Sequence, residues 1–228
     1  MQLNAKGILS CAVFGMIAAL AGCSTTPETR SDTEQQVRAA QTTLDNFHND
    51  PGMRWFRDNL KNARAVVVSP RVTRAGFVFG GSGGDAIVLA RDGKTGRWVG
   101  PAFYNMGAGS VGFQIGVDVS EVVILVMSEK ALNALLSSTF KLGGDASIAA
   151  GPVGVGAASS VTADMVSFAR SKGVYAGLSL DGAVIRPDAG ANAAFYGKAV
   201  SPVDILVRHS VNSASAASLQ GSLRQMAK

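Results

Sequence analysis

Three glycine-rich stretches and two histidines are the parts of this chain whose residue types and spacing could do chemistry. Gly80-Gly81-Ser82-Gly83-Gly84 fits G-x-S-x-G, the turn that presents a nucleophilic serine. Asp145 or Asp164, followed by His209, would complete a hydrolase triad in the required order. That turn must lead from a strand into a helix, yet the apolar run at 86–90 reads as another strand, so a flexible hairpin is the expectation. Gly107-Ala108-Gly109-Ser110-Val111-Gly112 fits G-x-G-x-x-G, which holds a pyrophosphate only when it opens a helix. The following residues 113–117 alternate as a strand does, so this stretch is expected to be a turn between strands. Gly93-Lys94-Thr95 matches the end of a phosphate-binding loop, but Val88 stands where the first glycine is needed. His48 and His209 have no neighbouring ligands at metal-binding spacing. No catalytic residue, metal or cofactor is expected.

The elements that would position any site are legible from periodicity and punctuation. Ser31-Asp32-Thr33-Glu34 fits a capping box with Ser31 as the cap, and Val37, Ala40, Leu44 and Phe47 follow at helical spacing. Asp50-Pro51 starts a second helix over 51–63. From Arg64 the pattern turns β-branched. Strands are predicted at 65–68 (ending at Ser69-Pro70), 77–79, 86–90 and 97–99, with a hairpin turn at 92–96. Residues 111–117 and 121–127 read as a strand pair. Residues 128–138 read as a helix burying Leu132, Leu135 and Leu136. Further strands are predicted at 146–150, 153–161, 165–170, 174–180 and 182–186, and a terminal helix over 212–227. With 27 glycines and 16% charged residues, the reading is α+β. It comprises a glycine-rich, mostly antiparallel sheet, curved and either open or closed into a barrel. N-terminal amphipathic helices, one inserted helix and a C-terminal helix pack with it.

The N-terminus carries an address. Lys6 precedes an apolar stretch at 7–19, which ends in Leu20-Ala21-Gly22-Cys23. A positive start, an apolar core of this length and small residues at the cut mark a signal peptide over 1–22 and not a spanning helix. Leu-Ala-Gly-Cys resembles the lipobox of bacterial lipoproteins. That resemblance implies that Cys23 is acylated and is the first residue of the mature chain. Residues 23–30 then form a polar tether, and 31–228 form a single domain. The two cysteines are Cys11 and Cys23, so no thiol remains for a disulfide. The lipobox resemblance also implies, from Ser24 in place of an aspartate, the outer membrane, with the domain in the periplasm. The formal charge of +5 suits anionic headgroups or nucleic acid, and an envelope address argues against nucleic acid.

One segment has the composition of an interfacial element. Met53, Phe56, Leu60 and Ala63 share a helical face, and Arg54, Arg57, Lys61 and Arg64 form a stripe beside it, with Trp55 outside the apolar face. Trp55, Arg54, Arg57, Lys61 and Arg64 are therefore the candidate lipid-binding residues. The competing expectation is that the apolar face docks on the sheet and the basic side is simply solvated. A third possibility is that glycine-rich curvature encloses a cavity for an acyl chain.

The chain resembles the SYLF domain over roughly 36–206. The residues that carry the resemblance are Pro70, Gly80-Gly81, the run Gly96-Arg97-Trp98-Val99-Gly100-Pro101-Ala102-Phe103 and Gly112-Phe113-Gln114-Ile115-Gly116. They continue with Gly143-Gly144-Asp145, Gly151-Pro152-Val153-Gly154, Ser171 to Gly177 and Asn192-Ala193-Ala194-Phe195-Tyr196-Gly197, all in the family's order. The resemblance implies a lipid-binding module without enzymatic activity: eukaryotic members bind phosphoinositide-containing membranes, and some bind actin. It does not fix the ligand. The alternative is an envelope scaffolding module that binds a protein and meets lipid only through Cys23. Actin binding is a third reading.

Overall fold

Strand β1 (Ala65–Gly76) has no polar face along its first half: Val66 and Val68 enter one core, and Ala65 and Val67 enter another. A strand of this kind must lie inside a sheet covered on both sides. The computed structural model describes residues 27–76, 79–111, 116–154, 161–171, 173–177 and 180–228. The expected signal peptide and Cys23 lie outside them, as do parts of the strands expected at 77–79, 111–117, 153–161 and 174–180.

β1 is flanked by β2 (Phe79–Arg91) and β4 (Gly116–Val126). The sheet also contains β3 (Trp98–Val111), β5 (Phe140–Lys141), β6 (Ile148–Ala150), β7 (Met165–Ser171), β8 (Val174–Gly177) and β9 (Val184–Pro187). Its order is β5-β9-β3-β2-β1-β4-β7-β6, with β8 on β7. Every pairing is antiparallel except β6 with β7. The path ends at β5 and β6, which do not pair with each other, so the sheet is curled and open, not a closed barrel.

One face is covered by α1 (Arg30–Asn49), α2 (Arg54–Leu60), α4 (Ala189–Tyr196) and α6 (Ala217–Met226). Val37, Ala40, Leu44 and Phe47 of α1 are buried there, as their spacing predicts. On the other face α3 (Glu129–Leu135), α5 (Pro202–Leu206) and Phe140 of β5 close the second core. Each large apolar side chain removed from water in this way contributes about 1.5–3 kcal/mol.

Several expectations are corrected. The cap of α1 is Thr29, in a capping box with Asp32, and not Ser31. Glu34 is used elsewhere, pairing with Arg30 at 3.1 Å and accepting from the Ser215 hydroxyl at 2.8 Å. β1 continues past Pro70, because the register slips between Ser69 and Val72 and the proline falls in that bulge, where no ladder donor is needed. Gly80–Gly84 is strand interior, and so is Gly107–Val111; Gly81 pairs with Gly109 and Gly83 with Gly107. Glycine read locally as a turn is here held extended by neighbouring strands, on both sides for Gly80–Gly83 and by β2 for residues 108–111. Residues 116–126 form one strand, not half of a pair. The 92–96 turn is as read: Asp92 Oδ1 accepts from Lys94 N at 2.8 Å and Thr95 N at 2.6 Å, and Gly96 has φ +68. The terminal helix spans α6 after a short 3-10 turn. Helices α4 and α5 were not expected.

Two polar joints lock the layers. Buried Asn192 on α4 accepts from Phe103 N at 3.0 Å and donates to Phe103 O at 2.9 Å, replacing a missing strand neighbour of β3. Asp164, ahead of β7, accepts from the Ser128 hydroxyl at 2.6 Å and from Ser147 N at 3.0 Å. These bonds, the Ser147 hydroxyl and Lys130 hold its carboxyl down to about 2.

Asn192→Ala is expected to lower stability by about 1–3 kcal/mol in urea unfolding, because it orphans the buried N–H of Phe103, whose carbonyl keeps its bond from Asp188 N at 2.9 Å. A carboxyl depressed in the folded state stabilises above its unfolded value, near 3.8, and loses that contribution as pH falls toward about 2. Asp164→Asn should therefore destabilise at neutral pH and flatten the stability–pH curve between those values.

Candidate lipid-facing surface

Asp50 caps the turn that leads into α2, its carboxylate accepting from Gly52 N at 2.7 Å, and Pro51 takes the first position. The helix places its apolar side inward: Met53, Phe56, Leu60 and Ala63 are fully buried. Phe56 meets Phe47 with centroids 6.2 Å apart and Phe168 edge-on at 5.7 Å. Trp55 is half-buried, its ring 5.9 Å from that of Phe168. The apolar face of this segment belongs to the core.

The five candidate residues lie on α2 or just after it and are occupied differently. Arg54 is exposed and pairs with Asp58 at 3.5 Å. Arg64 is exposed and pairs with Glu129 at 3.3 Å. Exposed pairs of this kind contribute about 0–1 kcal/mol and are readily exchanged for another anion. Arg57 is committed to the fold: it donates to the carbonyls of His48 at 3.1 Å, Pro51 at 3.4 Å and Asp50, satisfying the end of α1. Its charge, after burial, also lowers the pKa of His48. Lys61 is exposed, and its carbonyl accepts from the Arg91 guanidinium. Cys23 lies outside the described residues.

That last contact adds residues not singled out from the sequence. Arg91 stands at the end of β2, so its bond to Lys61 sets the hairpin between β2 and β3 beside the end of α2. Exposed Lys94 and Arg97 of the hairpin thereby join Lys61 and Arg64. The basic turn was visible in sequence, but its distance along the chain from α2 hid the juxtaposition.

The chemistry-like motifs are separated by the fold. Ser82 lies mid-strand, paired with Ala108 and Arg74, with no helix after it. His209 sits 3.4 Å from Asp92 at the rim of a polar cleft of about 220 Å³ lined by Arg97, Trp98 and Gln220. Among the described residues no group of three or more acidic, histidine or cysteine side chains could hold a metal, and no helix is long and apolar enough to cross a membrane.

A family model described as "Ysc84: Las17-binding protein actin regulator" matches residues 107–226. Among curated proteins, Protein YSC84 of Saccharomyces cerevisiae is 33% identical over 145 residues, covering 60% of this chain and 31% of that one. LAS seventeen-binding protein 3 of the same yeast is 31% identical over 147 residues, 61% and 32% of the two chains. SH3 domain-containing YSC84-like protein 1 of Xenopus laevis is 35% identical over 132 residues, 56% and 39%. The chain thus matches well under half the length of these relatives. The matched family span begins inside β3, after α2.

The different engagements of the basic residues predict different costs. Arg57→Glu should lower stability by about 2–3 kcal/mol, since three carbonyls lose their donor. Arg54→Glu and Lys61→Glu should stay within about 0.5 kcal/mol of the parent. Urea unfolding of the three variants measures this.

Proposed function

The chain belongs to the Ysc84 (SYLF) family, and from that premise we propose that it is a non-catalytic binding module working at a membrane surface. In this reading Cys23 carries the acyl anchor, and the domain meets anionic phospholipid headgroups in the cell envelope, at the outer membrane facing the periplasm. The observation that carries it is that Arg54, Lys61 and Arg64, and Lys94 and Arg97 of the hairpin that Arg91 ties to Lys61, are all exposed, with the ion pairs of Arg54 and Arg64 loose enough to exchange for phosphate. Arg57 and Trp55 support this surface from beneath. Each exposed cation near an anionic surface contributes about 1 kcal/mol, screened by salt.

A second reading is favoured by the relatives' names, which describe Las17-binding proteins and an actin regulator. In it the module binds a protein partner in the envelope and touches lipid only through Cys23. Actin itself rests on the family name alone.

Co-sedimentation of the chain from Ser24 onward with anionic and neutral vesicles separates them. The first reading expects binding to anionic vesicles that weakens with salt. It also expects that combined reversal of Arg54, Lys61, Lys94 and Arg97 to Glu reduces binding by about 100-fold or more. Equal binding by that variant would remove the site. No binding by the parent chain, with one protein crosslinked in cells, would replace the first reading with the second.

A further inference from the structure

The sheet runs on beyond its helices. On the face that α1 covers, alternation and register set two cross-strand rows past Glu121 and Asp85. The first runs from Val119 through Thr73, Gly83 and Gly107 to Val184 on β9. The second runs from Val117 through Ala75 to Gly81 and Gly109. Val117 is 71% and Val119 43% exposed, large values for valine on a sheet. The glycines make a bare floor between valine walls that stand about 19 Å apart at the usual strand spacing.

Nothing among the described residues requires glycine at these four places. A Cβ on Gly81, Gly83 or Gly107 would meet its nearest atom at 3.7, 3.5 or 3.6 Å, ordinary contact, and on Gly109 would meet nothing within 4 Å. None of the four has positive φ. Glycine inside a strand costs about 0.5–1 kcal/mol relative to alanine, and its usual justification is close approach by something else.

The lining states what that is. Along the middle of the rows Thr73, Ala75, Gly81, Gly83 and Gly107 have ladder partners on both sides, and Thr73 is the one polar side chain in the two rows. A peptide laid here would leave its amides without partners, whereas a hydrocarbon chain has none to satisfy. The start of the described chain also lies at this end. Glu28 is close enough to Asp188 and Asp85 that, after burial, their charges raise its pKa, and Asp85 stands one row from Gly83. An anchor at Cys23 would keep this edge within reach of a bilayer, because the residues between Cys23 and Glu28 span at most about 17 Å.

The geometry points to this trough as a seat for the acyl chain of a membrane phospholipid. The assignment rests on the lipid-surface reading for its source of chains. It is separable from the cation cluster, which lies about 33 Å away along β2, between Gly81 and Arg91.

The test uses the full chain and phosphatidylcholine vesicles whose lipids carry a diazirine midway along one acyl chain. Illumination is followed by mapping of the adducts. Adducts on residues 71–75 and 117–119 are expected, falling about tenfold in Gly83→Ala/Gly107→Ala/Gly109→Leu, which blocks chain contacts. The same variant should melt no lower than the parent chain. Adducts confined elsewhere, or undiminished in this variant, would overturn the assignment. A dimer abolished by the same substitutions, without adducts, would give the face to a second copy and overturn it as well. Loss of salt-sensitive anionic binding with trough adducts retained would count against the headgroup reading alone.

Discussion

Burial of β1 on both faces is the constraint from which the rest of this structure follows. Ala65 to Val68 offer no side chain to water, so one layer of helices is needed above the sheet and another beneath it. The helices that answer this come from both ends of the chain: α1 and α2 before the sheet, α4 and α6 after it, with α3 and α5 on the reverse. Removing either layer would expose a contiguous valine surface and leave the central strand without its main source of stability.

Helix α1 is seated by more than its apolar stripe. Glu121 on β4 accepts from Thr43 at 3.0 Å and Asn46 at 3.3 Å while pairing with Arg170 at 2.6 Å. A partly buried carboxylate satisfied from both the helix and the neighbouring strand fixes where α1 crosses the sheet. Where α1 ends, Arg57 takes up its carbonyls, and this orients α2. The cations of α2 therefore face outward as a result of how α1 is seated. One of them is part of that seat, and the others remain exposed at the surface.

The same crossing divides the sheet. On one side of α1 the strands are valine-rich and filled from both faces. On the other they are glycine-rich and open among the described residues. The rigid part and the accessible part are thus halves of the same strands. The family motif at 192–197 belongs to the rigid half: Asn192 bonds to Phe103, Phe195 stacks on it at 5.1 Å, and the Tyr196 hydroxyl donates to Pro101 O at 2.8 Å.

What the sequence determined by itself is what local chemistry decides. Periodicity placed the buried face of α1 and the inward side of α2, since a helix of that pattern has one apolar side whatever it packs against. Asp50-Pro51 and 92–96 fixed a helix start and a hairpin, because side-chain oxygens and positive φ act within a few residues. The α+β class and the basic stripe were legible for the same reason. Tertiary structure decided the rest. Gly80–Gly84 and Gly107–Val111 became strands because neighbouring strands, β1 and β3 for the first and chiefly β2 for the second, supplied ladder bonds that glycine alone does not favour. Helices α4 and α5 form from short, weakly patterned segments held by Asn192 and by the second core. The uses of Arg54, Arg57 and Lys61 diverge because one faces Asp58, one meets three carbonyls and one adjoins Arg91 from a distant hairpin. The Arg54–Asp58 pair is local, four residues apart on one helix, but no spacing within 51–64 encodes the His48 carbonyl or Arg91, which are set by how neighbouring elements pack.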